Sequence, residues 1–248
     1  MSKTKRMITV RAGRLLAGVC YTQVRGSEPG HVRAAKEKVS TAARTRINMR
    51  RSWQKLMLAA AANFGYRDSL VTLTYDDEHL PGSRKEAIKQ IGKYLVLLRR
   101  ELRRQGRELK YIYVTESRHG DGRYHHHILL NCGKADEELI RSLWTNGENV
   151  KREPVDLWGY EELAQYLTKE AREVGSPNGA RTWTPSKNLS RPVRESVLVE
   201  ETVALAPPPG AVVLSSEGKK NEWGEFSYLL CLLPEEDNSF RHFRPKRN

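Results

Sequence analysis

The run Arg123-Tyr124-His125-His126-His127-Ile128-Leu129-Leu130 constrains this chain more than any other segment. It reads as a β-strand, and in a strand residues i and i+2 share a face. His125 and His127 then present two imidazoles side by side, while His126 faces away. Two imidazoles on one rigid surface are the start of a divalent metal site. A short histidine tract also binds metal without any chemistry, so the rest of the chain must supply the argument for catalysis.

A third ligand follows from pairing. Tyr111-Ile112-Tyr113-Val114-Thr115-Glu116 is rich in β-branched and aromatic residues and is a second strand. His119-Gly120-Asp121-Gly122 between the two runs is a turn signal. A hairpin loop over those residues pairs Arg118 with Arg123 and sets Glu116 opposite His125. Opposed residues share a face with Cβ atoms about 5 Å apart. Glu116, His125 and His127 thus converge from adjacent strands. The opposed arginines repel, and a bound phosphate would relieve that repulsion. A slip of one residue would send Glu116 to the other face. His119 stands as a substitute ligand in the turn.

Charge narrows the partner. The chain has 248 residues, with 43 Lys and Arg against 30 Asp and Glu, a net charge of +13 and a pI near 9.7. That excess favours polyanions, nucleic acid first and anionic membrane second. Cys20, Cys132 and Cys231 are widely spaced and form no CxxC pair, which points to a reduced compartment and no structural zinc. No apolar stretch follows the basic N-terminus, so no secretory signal is read. The apolar run from Leu56 to Phe64 is too short to span a bilayer. The expectation is a soluble cytoplasmic protein with no membrane partner.

Along the chain, Met1 to Pro29 reads as irregular, and Val32 to Asn63 as one long helix or two. Arg33, Lys36, Lys38, Arg44, Arg46, Arg50, Arg51 and Lys55 make that helix basic, either as a solvated face or as a DNA-backbone contact. Leu70 to Tyr75 is a strand. Ser83 caps a helix to about Gln105 with Ile88, Ile91, Leu95, Leu98 and Leu102 on one stripe. After the two central strands come a helix from about Ala135 to Trp144, a turn at Asn146-Gly147, and a strand within Glu148 to Leu157 that Pro154 makes an edge. A helix then runs from about Tyr160 to Glu173. The order from Leu70, β-α-β-β-α-β, is the split-βαβ plan. The fold class expected is α+β: a central antiparallel sheet with helices on one face and the other face open. The divisions are an N-terminal helical extension (1–64), a core (65–192) and a C-terminal extension with strands and a basic tail (193–248). Strand candidates there are Val197 to Leu205, Ala211 to Leu214 and Phe226 to Leu233, interrupted by Ala206-Pro207-Pro208-Pro209-Gly210. The tail Arg241 to Arg247 is basic and expected to be mobile.

A metal-bearing sheet in a basic protein suggests phosphoryl transfer. On the helix after Gly159, Tyr166 and Lys169 stand at i and i+3 and share a side. An unperturbed tyrosine has a pKa of about 10 and is a poor nucleophile. A nearby cation and ammonium favour its phenolate. Attack on a DNA phosphate would give a phosphotyrosine that conserves the diester bond energy. Tyr160 is the competitor, about 240° around the helix from Tyr166, so the two do not pair on one face.

These residues resemble the HUH endonucleases, specifically the single-tyrosine rolling-circle replication initiators of phages and plasmids. Leu70-Val71-Thr72-Leu73-Thr74-Tyr75 resembles the first-strand motif, Arg123 to Leu130 the His-hydrophobe-His strand, and Tyr166-Leu167-Thr168-Lys169 the YxxK motif. Trp183-Thr184-Pro185-Ser186-Lys187-Asn188-Leu189-Ser190-Arg191-Pro192 looks like a segment of phage-type initiators. The likeness covers about Val32 to Pro192, and departs at His126, where the family carries an apolar residue. The resemblance implies a ferredoxin-like core with Mg²⁺ or Mn²⁺ on Glu116, His125 and His127. It implies Tyr166 as nucleophile, forming a 5′-phosphotyrosine and freeing a 3′-OH, with Lys169 orienting the phosphate. Arg123, Lys187, Arg191 and Trp183 would hold single-stranded origin DNA, a hairpin included, and host helicase and polymerase would be partners. Two histidines and a carboxylate also suit iron or zinc. Relaxases and single-tyrosine transposases use the same parts, and a non-catalytic nucleic-acid-binding protein with a structural metal is a further alternative.

Overall fold

The computed structural model describes residues 4–23, 42–117, 123–155, 159–170, 182–222 and 224–234. Strands β1 (Thr4–Ala12) and β2 (Leu15–Thr22) pair antiparallel around a two-residue turn, Gly13-Arg14. Gly13 sits at φ 56°, a backbone that two-residue hairpin turns require and that glycine adopts at least cost. The reading of Met1 to Pro29 as irregular is corrected over these strands. Ile8-Thr9-Val10 and Val19-Cys20-Tyr21 carry strand-forming side chains, but the interspersed arginines and glycines hide the alternation. Helix α1 (Ala42–Asn63) follows. Arg33, Lys36 and Lys38 lie outside the described residues, as do the side chains of Arg44 and Arg46.

The chain divides into two compact units, Met49–Ser190 on one hand and Met1–Asn48 with Arg191–Asn248 on the other. The first contains β3 (Ser69–Thr74), α2 (Arg84–Arg104), β4 (Tyr111–Ser117), β5 (Tyr124–Leu130), α3 (Glu137–Ser142), β6 (Val150–Pro154), α4 (Tyr160–Leu167) and the short β7 (Thr184–Pro185). Its sheet runs β6-β3-β5-β4-β7 with antiparallel neighbours. β3 and β4 flank β5 and are joined by α2, which is the split-βαβ arrangement.

One face of this sheet is apolar because alternate residues point to it. Val71 and Leu73 of β3 and Ile128 and Leu130 of β5 pack with Ile91, Tyr94, Leu95, Leu98 and Leu102 of α2, and with Ile140 and Trp144. Ser83 caps α2 by accepting from Glu86 N at 3.2 Å. Ile88 is corrected from the buried stripe: it is 42 % exposed, and Ala87 takes the buried position in the first turn. At Gly147 a Cβ would collide with the Thr74 carbonyl oxygen, while Asp76 N donates to Asn146 O at 3.1 Å. Only glycine allows the turn to press so closely on the end of β3.

The opposite face is not left open along its length. Ile112 and Leu129 point to it and are fully buried. Helix α4 lies against it, with the Tyr166 ring on His127. The buried Tyr160 hydroxyl donates to the Phe64 carbonyl and so joins α4 to the end of α1. Helices therefore cover both faces at the Leu129 end. The apolar residues Ile112, Val114 and Leu129 demand that cover. The face becomes polar only toward His125.

In the second unit β8 (Val193–Glu200), β9 (Val212–Asn221) and β10 (Gly224–Leu232) join the N-terminal hairpin in one antiparallel sheet, β8-β1-β2-β10-β9. Met7, Leu16, Cys20, Leu229, Cys231 and Leu233 form its core. The buried Lys5 ammonium is held by Glu225 at 2.6 Å and by the Val203 carbonyl at 3.3 Å. The two terminal segments thus share a sheet instead of standing as separate extensions. The chain is α+β, with two antiparallel sheets and four helices among the described residues. No helix among them is long and apolar enough to cross a membrane. The tail from Arg241 lies outside the described residues.

Candidate metal centre and nucleophile

β5 pairs with β4 so that Glu116 stands opposite His125 and Val114 opposite His127, while on the other side Thr72 of β3 stands opposite His127. Alternation then projects Thr72, Glu116, His125 and His127 from one face. Glu116 Oε2 lies 3.3 Å from His125 Nε2 and 3.4 Å from His127 Nε2. One ligand atom from each of the three falls within 4.8 Å of the others. The imidazoles meet edge to face, with centroids 5.0 Å apart and planes at 86°. Arg118, His119 and the rest of the turn lie outside the described residues.

The donor set suits a divalent cation. Burial pushes the Glu116 carboxyl up, but hydrogen bonds from His125 and His127 outweigh it and hold the group at about 2. Glu116 is therefore a carboxylate at neutral pH. Its Oε1 is buried and has no hydrogen-bond partner, an unsatisfied charge that a metal ion would satisfy. The Thr72 hydroxyl lies 3.0 Å from His127 Nδ1. With Nδ1–H donating to it, Nε2 keeps its lone pair toward Glu116, the tautomer that a metal ligand needs.

His126 occupies the other face. It is fully buried, with Nε2 2.7 Å from the Tyr75 hydroxyl and Nδ1 2.9 Å from Thr115 Oγ1. Burial first, then the nearby His125, His127 and Arg84, pull its pKa down to about 3, so it stays neutral. Tyr75 and Trp144 stand edge-on to it. These contacts pin β5 between β3 and β4 and turn its neighbours outward.

The Tyr166 hydroxyl reaches to 3.4 Å from His127 Nε2, with ring centroids 5.1 Å apart, and the residue is 50 % exposed. It is adjacent to the cluster yet open to a substrate. Lys169 is exposed just beyond it. Thr168 Oγ1 donates back to Ala164 O at 2.8 Å and marks the end of α4. Glu170 then ties this turn to the ligand strand. It accepts from Ser117 N at 3.2 Å and pairs with Arg84 at 3.6 Å. Arg84 also donates to the Thr115 carbonyl. Tyr160 points the other way, into the core.

Of the expected DNA contacts, Arg123 is near the cluster and donates to Asp77 at 2.6 Å. Trp183 is half-buried, and its indole N–H donates to Ser52 Oγ at 3.3 Å. Lys187 is exposed, but its neighbour Ser186 bonds to Tyr111 at the far end of β4 from Glu116. That places it roughly 17 Å away along the strand. Arg191 belongs to the other unit. Sequence reading missed Thr72, Tyr75, Thr115, Arg84 and Glu170. Thr72 had a signal: a polar residue on the alternate face of an apolar strand.

The model of the family described as Replication-associated protein ORF2 matches residues 68–171, the segment that holds all of these ligands and Tyr166. The match supports a replication initiator and is consistent with endonuclease activity. No curated protein and no solved structure matches the chain.

Proposed function

We propose that this protein is a metal-dependent endonuclease that nicks single-stranded DNA at a replication origin and starts rolling-circle replication from the nick. The observation that carries the reading is the Tyr166 hydroxyl beside the Glu116–His125–His127 cluster, 3.4 Å from His127 Nε2. The family match over residues 68–171 adds support.

Glu116, His125 and His127 would hold Mg²⁺ or Mn²⁺, which supplies Lewis-acid stabilisation of charge on the scissile phosphate. Tyr166 Oη attacks phosphorus in line. A Tyr–O–P bond forms, the bond to the 3′ oxygen breaks, and that oxygen leaves to become the 3′-OH that primes synthesis. The phenolic proton goes to solvent. The protein retains the 5′ end as a phosphotyrosine, which a 3′-OH reverses for ligation. Lys169, at i+3, balances charge on the phosphate. Glu170 and Arg84 fix the end of α4 to β4, so nucleophile and ligands keep their spacing. Arg123 offers its guanidinium to the DNA backbone in exchange for Asp77. The reaction takes place in the cytoplasm, with host helicase and polymerase acting downstream.

The experiment is a denaturing-gel assay on labelled single-stranded origin-region DNA with Mn²⁺. Wild type yields a covalent protein–DNA band that EDTA, Tyr166→Phe and His127→Ala each abolish. An adduct that persists in Tyr166→Phe removes the tyrosine assignment. DNA binding without any adduct under any metal removes the catalytic reading.

A further inference from the structure

Helix α2 carries a row of cations on the side turned away from the sheet, and the proposed reaction uses none of them. Residues advance about 100° each around a helix. On that wheel Lys85, Lys89, Lys93, Arg100, Arg103 and Arg104 fall within an arc of roughly 100°, all exposed. The arc lies opposite the buried Ala87, Ile91, Leu98 and Leu102. Along the axis the row extends about 28 Å.

The row is poorly neutralised. Glu86 shares the arc, but it lies in the first turn and accepts from Gly82 N at 2.9 Å. Glu101 serves Arg100 and Arg104. Lys85, Lys89 and Lys93 follow one another at i+4, where like charges repel and weaken a helix. Among the described residues none of these three forms an ion pair. A stretch that accepts this repulsion is suited to an external polyanion.

Two features narrow the ligand. The arc holds Val96 as its exposed apolar side chain, 58 % exposed, and no aromatic ring. Unpaired bases would find nothing to stack on, so contact is with phosphates alone. The row is also straight and rigid. Both features fit the regular backbone of a duplex better than a flexible single strand. Position separates it from the cleavage site, because α2 packs on the sheet face opposite Glu116, His125 and His127. We propose that the outer face of α2 is a second, sequence-independent DNA-binding surface that holds double-stranded DNA flanking the cleaved strand. The choice of DNA as the polyanion rests on the function proposed above.

The test is fluorescence anisotropy with the full chain, on a labelled duplex and on a single strand of equal length, across a range of salt. Lys85→Glu/Lys89→Glu/Lys93→Glu should lose at least about tenfold in duplex affinity and flatten the log–log salt slope by about two to three. Its affinity for the single strand, and its Mn²⁺-dependent nicking of that strand, should stay within about twofold of wild type. Lys89→Glu alone turns two repulsions into attractions. Its melting midpoint should equal or exceed that of wild type while duplex affinity still falls, which excludes misfolding as the cause. Unchanged duplex affinity and slope in the triple variant overturn the proposal. Equal losses on duplex and single strand overturn the duplex assignment. So does lost binding to phosphatidylserine vesicles with DNA binding intact. Because binding is read separately from cleavage, an adduct that failed to depend on Tyr166 would leave this result standing.

Discussion

His126 and His127 are neighbours in sequence and opposites in surroundings. His126 is enclosed by Tyr75, Thr115 and Trp144 and is kept neutral. His127 sets one ring nitrogen against Thr72 and directs the other toward Glu116 and Tyr166. The backbone of β5 alone separates them. A strand sends successive residues to opposite faces, so one residue type serves packing on one face and a reactive cluster on the other. Substitutions on the His126 face should move stability, and those on the His127 face should move chemistry or metal affinity.

The largest effect tests the reactive face. Tyr166→Phe removes only a hydroxyl from a half-exposed ring, so stability should change by less than about 0.5 kcal/mol. The covalent adduct should vanish completely. Melting curves beside adduct gels check both halves, and a variant that loses adduct only because it unfolds would erase the contrast.

His126→Ala should do the reverse. It leaves a cavity and two unsatisfied hydroxyl partners, at a cost of about 2–4 kcal/mol. At a temperature where the variant is folded, Mn²⁺ affinity should remain within about tenfold of wild type. The pH dependence has a definite sign. His126 titrates near 6.5 when unfolded and about 3 when folded, so the unfolded chain binds the extra proton between those values. Wild-type stability from this group is full above about 6.5 and declines as pH falls toward 3. Glu116, held at about 2 against 4.5, contributes a similar acid loss only below 4.5. Urea titrations between pH 6.5 and 4.5 should therefore show a slope in wild type that His126→Asn flattens. An unchanged slope would mean that His126 carries its proton when folded.

The same contrast explains what could be read from sequence. Alternation and hairpin register are local, so Glu116, His125 and His127 were placed together from spacing alone, and the β-α-β-β-α-β order followed from periodicity. Tyr166 came from a four-residue motif and the residues upstream of it. The contacts from Thr72, Arg84 and Glu170 were not legible, because each joins elements far apart in sequence. The second sheet was missed for the same reason on a larger scale. β1 pairs with β8 at the other end of the chain, and neither strand advertises its partner. Ile88 satisfied the helical period, yet it stands in the first turn of α2, at the edge of the buried stripe.

Thr72→Val sharpens the comparison at the level of one hydrogen bond. It keeps the strand's shape and removes the acceptor at His127 Nδ1. Losses of this kind weaken metal affinity by about 10–100-fold, while the melting midpoint should barely move. Calorimetric Mn²⁺ titration reads the first and thermal unfolding the second. Equal Mn²⁺ affinity in the variant would show that the threonine does not set the tautomer.

The smallest effect divides the two tyrosines of α4. Tyr160 is buried and donates to the Phe64 carbonyl; Tyr166 is half-exposed and meets His127. Tyr160→Phe leaves that carbonyl without its donor and should cost about 1 kcal/mol. Adduct formation should persist at the wild-type rate, because the lost hydroxyl faces α1 and not the cluster. The two phenylalanine variants thus exchange phenotypes: one less stable and active, the other stable and inert. Adduct yield measured after urea unfolding curves have set the temperature, so that both variants are fully folded, distinguishes them. A Tyr160→Phe protein that is folded yet forms no adduct would place a second tyrosine in the reaction. It would also require α4 to present its buried side to DNA, against the burial of Ala164 and Leu167 on the same helix.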